Sequence, residues 1–397
     1  MPERLSILHI NTARTWRGGE QQTFNLVSGL HRRGVPVGLL CQPGSLLAEK
    51  AKSCGIPVFE VAIKGEGDFG AALKIRKICR QYGIGFTHAH TAHAHTVAYW
   101  ATLGTRIKRL VSRRVDFSIY RHDFMKINWL KYRYMAHHYV AISAYIKGVL
   151  VKDGLPAADI SVVHSGVDPL RFANITDAEV EALRREFAVG PDTKVLINSA
   201  QLSWEKGQYA LVLAFAAFLR KYPASKLFLL GGGNQDTLRR LITGLGLAEQ
   251  VVMPGFRKDI GVFYKMCDLF VMPSVYEGLG TSVLDALALK KPVVAANGGG
   301  LPEMITDNVN GRLVYMRNPE SLGKELKYDP RPDGAHIRVF AEGLSQTLLA
   351  AFDDYAQSIA MTEAGYTTLT HGFTFDAMVT GNLAVYQKLI PQLFTET

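Results

Sequence analysis

Short apolar runs of strand length alternate with longer segments of helical period along most of the chain, and this alternation restricts the fold more than any other feature. Leu5 to Ile10, Val35 to Cys41 and Ile56 to Val61 read as strands. Residues 19–33, between the first two, read as a helix, because Phe24, Val27 and Leu30 recur on one face and Gly34 follows as a stop. The second half repeats the scheme, with Lys194 to Ser199, Lys226 to Leu230, Val251 to Met253, Leu269 to Met272 and Pro292 to Ala296 as strands. A βαβα order needs crossover connections, so it predicts an α/β protein with parallel sheets covered by helices on both faces. A chain of 397 residues accommodates about two such domains. The turn-rich stretch "HSGVDPLRFANITD", residues 164–177, reads as the linker between two doubly wound domains, 1–175 and 176–373.

Bulk properties exclude several classes. Hydrophobic residues are 48% and charged residues 20%, the balance of a globular chain with sizeable cores. The longest apolar run, Ala210 to Leu219, is far short of the roughly 20 residues of a membrane-spanning helix. No basic-then-apolar signal region opens the chain. Cys41, Cys54, Cys79 and Cys267 are scattered, which favours a reducing cytoplasm and no disulfide framework. The net charge of +10 points to anionic partners.

Ligands of open parallel sheets bind at the carboxyl ends of the strands. Gly-rich turns follow four of the expected strands: "TWRGGEQQT", "LLGGGNQDT", "YEGLGTS" and "ANGGGLPE". Such turns let a ligand approach the backbone, and the helix behind each offers free N–H groups to an anion. No turn has dinucleotide-fold or P-loop spacing. Lys206 opens the helix after one strand, a place where a bound phosphate would make a cation favourable. Ser282 and Asp285 have the spacing of a capping box, with Ser282 as N-cap. Glu277 precedes the same helix and has no evident structural task, so it reads as functional.

Glu277 and Asp285, with seven residues between them, resemble the signature of the group 1 family of retaining glycosyltransferases. The resemblance extends through "RGGEQQTFNLVSGLHRRG", "SVVHSGVDPLRF", "SAQLSWEKGQYALVLAF", "LFLLGGGNQ", the stretch 251–305 and "FTFDAMVTGNLAVYQKL". It implies a GT-B fold: two Rossmann-like domains facing across a cleft, with a C-terminal helix, 374–397, rejoining an acceptor-binding first domain. It also implies a nucleotide-diphosphate sugar as co-substrate, a UDP-sugar by default, with no cofactor and no metal. By the same resemblance Glu277 would contact the donor sugar and Asp285 the ribose. Gly278, Gly280, Thr281 and Ser282 would hold the diphosphate, and Lys206 would neutralise it. Phe256 and Arg257 would lie along the nucleobase, and Gly18 and Gly19 would face the diphosphate from the first domain. The chemistry is stabilisation of charge on a leaving nucleoside diphosphate by fixed donors.

This chain departs from the family pattern at three places. The second acid is Asp285 rather than Glu. The family's phosphate-binding arginine is replaced by Gln201, so another cation, such as Arg257 or an arginine of the first domain, is expected to serve. A first-domain histidine is replaced by Arg113 and Arg114, which are assigned with His88 to the acceptor side. His90 is taken as a catalytic-site residue. The run His88, His90, His93 and His95 raises a metal reading, set aside in favour of substrate contact. The tract 106–138 carries nine Lys/Arg and two Asp among aromatics, which suits an anionic acceptor or membrane surface better than nucleic acid. The expected protein is thus a cytoplasmic transferase, peripheral on the inner face of the cell membrane, acting on a glycan or glycolipid such as lipopolysaccharide core. The alternatives are a sugar-nucleotide epimerase of the same fold and a non-catalytic nucleotide-sugar-binding protein.

Overall fold

Five-residue runs such as Ile7–Asn11 (β1) and Val37–Cys41 (β2) are buried along their whole length, as strands covered on both faces must be. The computed structural model describes residues 5–120, 127–315 and 335–391. These fall into two units, Met1–Gly166 with Thr374–Thr397, and Val167–Phe373.

In the first unit, β1 and β2 join Val58–Glu60 (β3), Phe86–Ala89 (β4), Lys108–Arg113 (β5), His138–Ala141 (β6) and Ile160–Val162 (β7). All pairs are parallel, in the order β3-β2-β1-β4-β5-β6-β7. The crossover helices begin where a small polar side chain accepts an orphan N–H: Ser45 from Ala48, Asp68 from Ala71, Thr91 from Ala94 and Ser143 from Ile146. Gly83, at φ 69°, closes the helix Phe69–Tyr82 in the left-handed conformation. One face of the sheet is completed from the far end of the chain. Met378, Val379, Val385 and Tyr386, on the helix Phe375–Leu389, are buried with Ile7, Val37 and Phe86.

The second unit holds Lys194–Ser199 (β8), Ser225–Leu230 (β9), Val251–Gly255 (β10), Leu269–Met272 (β11), Val293–Ala296 (β12) and Arg312–Val314 (β13). They form a parallel sheet in the order β10-β9-β8-β11-β12-β13. Each strand expected from the sequence is present within two residues of its expected limits.

The division between units differs from the expected one. Residues 167–175 pack in the second unit, not the first. Val167 N–H donates to Phe373 O at 3.0 Å, and Phe172 is buried where a Cβ on Gly261 would come within 2.5 Å of its ring. Turn composition marks a change of chain direction, but it does not say which core receives the apolar side chains that follow.

Candidate active site

Strand order reverses in the second sheet between β8 and β11, which are neighbours although two strands and the helices around them separate the pair in the chain. The crevice at the carboxyl ends of such a pair is where open α/β sheets bind ligands. Lys206 follows β8 and Glu277 follows β11, so the topology brings them to one place. Lys206 Nζ lies 3.0 Å from Glu277 Oε2 and donates to Tyr276 O at 3.1 Å. The two connecting loops are also joined by the backbone, with Val275 N–H donating to Glu205 O at 2.9 Å. Glu277 is thereby held at the start of the helix Thr281–Ala288 (α11), next to its first-turn N–H groups.

The cap of α11 differs from the expected capping box. Gly280 is the N-cap, at φ 89°, and no side chain caps the helix. Ser282 therefore lies inside the first turn, and Asp285 is two positions too far along to reach back to the N-cap. Asp285 turns instead to Arg171, whose Nη1 is 2.8 Å from Oδ1. Burial pushes the Asp285 carboxyl up to about 6, and Arg171 opposes that rise.

Several Gly-rich turns have a different task from the one read in the sequence. A Cβ on Gly207 would lie 2.0 Å from Pro273 O, one on Gly231 2.0 Å from Ala200 O, and one on Gly299 2.1 Å from Glu277 O. These glycines let loops pack on one another. Gly300 N–H donates to Glu277 O at 2.9 Å, so the turn after β12 buttresses the acid from behind. Gly299→Ala places a side chain on a residue at φ 59° and against that carbonyl. We expect it to cost about 2–4 kcal/mol in chemical denaturation and to lower transfer with it. An unchanged unfolding midpoint would contradict the buttress.

Other expected donor-side residues are placed as follows. Gln201 is exposed, with its carbonyl accepting from Gln208 Nε2 at 3.1 Å. Phe256 is 72% exposed and open to stack on a ring. Arg257 is already engaged, with Glu186 (2.8 Å) and Asp259 (2.7 Å). It cannot stand in for the missing phosphate-binding arginine without breaking both pairs.

The first sheet reverses order between β1 and β4, and the histidines gather there. His88 and His90 come together with His9, which the sequence reading had counted simply as part of a core strand. Nitrogen atoms of the three lie within 4.8 Å of one another. His93 is exposed, and His95 is buried beside Tyr132 and Tyr139. Arg114 fixes the proton positions. A guanidinium is a donor, so His90 Nδ1, 3.2 Å from Arg114 Nη1, accepts. Neutral His90 then carries its proton on Nε2 and donates to His9 Nδ1 at 2.9 Å. His9 in turn is protonated on Nε2, which is buried without a partner among the described residues. His88 bonds Tyr386 Oη (2.7 Å) and Ser112 Oγ (2.8 Å). These bonds engage every ring nitrogen of the three except His9 Nε2, in a hydrogen-bonded stack beside the Arg114 guanidinium.

Arg113 corrects another expectation. It is buried, donating to Tyr132 Oη at 2.5 Å and Phe117 O at 2.6 Å, and so is turned into the unit rather than toward an acceptor. In the basic tract, Lys131 is buried against Glu66 (2.5 Å) and Arg109 donates to Met135 O (2.9 Å), whereas Arg106, Lys108 and Arg133 are exposed. Residues 121–126 of the tract lie outside the described residues. Gly18 and Gly19 open the helix Gly18–Arg32, and the space around both is clear.

Residues 16–171 match the family model described as Glycosyltransferase Family 4, and residues 179–328 match Glycosyl transferases group 1. A GDP-mannose-dependent alpha-(1-6)-phosphatidylinositol monomannoside mannosyltransferase of Mycolicibacterium smegmatis is 30% identical over 273 residues, 62% of this chain and 70% of that one. The chain belongs to the group 1 glycosyltransferases. An uncharacterized glycosyltransferase of Methanocaldococcus jannaschii is 36% identical over 171 residues, which span 42% of this chain and 44% of the archaeal protein. Among solved structures, Anabaena HepE in complex with UDP and glucose superposes with a TM-score of 0.78 at 21% identity, over 98% of this chain and 100% of that one. The fold of this glycosyltransferase is therefore GT-B. No helix among its described residues is long and apolar enough to cross a membrane.

Two residues of interest escaped the sequence reading. Arg171 sits in a segment read as linker, where nothing in the pattern signals a buried partner 114 positions away. Tyr386 lies on a helix expected from the family resemblance, but its bond to His88 is a property of the folded unit.

Proposed function

We propose that this glycosyltransferase moves a sugar, with retention of anomeric configuration and without a metal ion, from a nucleotide-diphosphate sugar to a glycan or glycolipid acceptor. The observation that carries the reading is the Lys206–Glu277 pair at the start of α11, beside the strand-order reversal of the second sheet. When a diphosphate enters, Lys206 exchanges its carboxylate partner for the phosphate oxygens, and N–H groups of Gly280, Thr281 and Ser282 take the rest of the leaving charge. Glu277 is released to accept sugar hydroxyls, Asp285 takes the ribose, and Gly278 lets the ligand approach the loop.

UDP is the proposed nucleotide, as in the complex of HepE, while the mycobacterial relative is named for GDP-mannose. That relative is also named for a phosphatidylinositol mannoside, which supports a glycolipid acceptor; lipopolysaccharide core belongs to the same chemical class. Exposed Arg106, Lys108 and Arg133, with Leu130 and Tyr134 near them in sequence, suit an acceptor at an anionic cytoplasmic membrane surface.

One reaction series tests this reading. A panel of UDP- and GDP-sugars is incubated with glycolipid in anionic vesicles, with EDTA present, and the product is analysed by NMR. The expected product keeps the donor's anomeric configuration, forms in chelator, and forms more slowly as salt rises. An inverted product would overturn retention, activity restored only by Mg²⁺ or Mn²⁺ would overturn metal independence, and a rate indifferent to salt would overturn the membrane surface.

A further inference from the structure

We infer that Arg171 is a positioning residue for the nucleotide: it holds the Asp285 carboxylate by Oδ1 and leaves Oδ2 to accept the ribose hydroxyls. This rests on the reading of Asp285 as the ribose-binding acid.

Asp285 is the fifth residue of α11, beyond the turn where free N–H groups would support a carboxylate. Its side chain is 13% exposed, so solvent does little to stabilise its charge. A carboxylate in such surroundings takes up a proton unless a cation is near. Arg171 is the one cation within ion-pair distance of it among the described residues. The bond is one-point, Nη1 to Oδ1 at 2.8 Å, so it fixes the carboxylate without occupying both oxygens.

Arg171 is itself held in place. Asp168 turns the chain, with Oδ1 accepting from Leu170 N–H (2.9 Å) and its carbonyl accepting from Arg171 N–H (3.1 Å). The guanidinium lies 4.5 Å from the centre of the Phe172 ring, and that ring is wedged at Gly261 near Tyr264. Arg171 and Tyr264 are the titratable groups that face Asp285. Burial keeps the Tyr264 phenol neutral, so the charge on Asp285 depends on Arg171. A bland staple between the segment 167–175 and α11 would give the same distance, but it would not govern how nucleotide binding depends on pH.

That dependence is the test. UDP and GDP affinities are measured by calorimetry from pH 5 to 8 on the full chain, with thermal unfolding as a control. In the wild type, binding should strengthen as pH rises through about 6, where Asp285 ionises. Arg171→Gln removes the cation that opposes the effect of burial, so the midpoint should move up by a pH unit or more and affinity at pH 7 should fall by about twofold or more. Arg171→Lys should return the midpoint toward the wild-type value even if it binds less tightly. Asp285→Asn should bind weakly and without that pH dependence. If Asp285→Asn behaves so while Arg171→Gln keeps the wild-type affinity and midpoint, the inference fails and the ribose reading stands. If Asp285→Asn binds as the wild type does, the ribose reading fails and the inference with it. If Arg171→Lys follows Arg171→Gln in its midpoint, the charge of Arg171 is not what acts, and the inference is again overturned.

Discussion

Glu277→Gln is expected to lower glycosyl transfer at least ~100-fold, about 2.7 kcal/mol in the barrier, with the fold intact. The substitution keeps the side chain's volume and removes its charge. Lys206 loses its carboxylate partner but keeps Tyr276 O, and the backbone of residue 277 keeps its bond from Gly300 N–H. The local frame therefore has reasons to survive. What disappears is the acid proposed to order the donor sugar, and with it the carboxylate that Lys206 pairs with at rest. Turnover at saturating donor, with the unfolding midpoint as control, measures the effect. Near-normal turnover in the variant would remove Glu277 from the mechanism.

A second large effect is expected on acidification. His9, His88, His90 and His95 are buried, and burial is the leading cause that lowers each of their proton affinities. His9 is pushed down to about 3, with Arg114 adding to burial, and the other three lie well below the ordinary histidine range. All four stay neutral in the folded first unit, while in the unfolded chain they take up protons near pH 6.5. The unfolded state thus binds more protons below that pH. The stability these groups contribute is complete above pH 6.5 and drains away as pH falls toward their folded values. Each contributes a slope approaching about 1.4 kcal/mol per pH unit, so four together approach roughly 5 kcal/mol per unit. Urea unfolding at pH 7.5 and pH 5.5 measures it. Equal midpoints at the two pH values would mean that the histidines are solvated or paired with acid.

The fold was legible because its signal is repetitive. Buried parallel strands read as apolar runs, and one-faced helices read as 3.6-residue periods, so Lys194–Ser199 and Leu269–Met272 match expectation residue for residue. Glu277 and Lys206 were legible for a related reason: both directly follow strands that topology makes neighbours. The readings that departed from the structure depend on side chains distant in sequence. Asp285 looked like a local cap, and its partner is Arg171. Arg257 looked free, and Glu186 claims it. Arg113 looked like an acceptor contact, and its guanidinium is satisfied inside the unit. The glycines had two explanations with one sequence signature, ligand approach and loop packing, and the carbonyls that decide between them belong to other loops.

The discontinuity of the first unit has a bearing on synthesis. A ribosome delivers Val167–Phe373 as one uninterrupted stretch, so the second unit has everything it needs to close while translation continues. The first unit does not, although its sheet emerges earlier. Its covering helix, with Val379 and Tyr386, is translated only after the second unit, and His88 has no phenol to bond until that helix docks. During that interval an apolar sheet face is left open beside a nascent chain, which is the situation that holding chaperones serve. Of these two units, the one begun first is completed second.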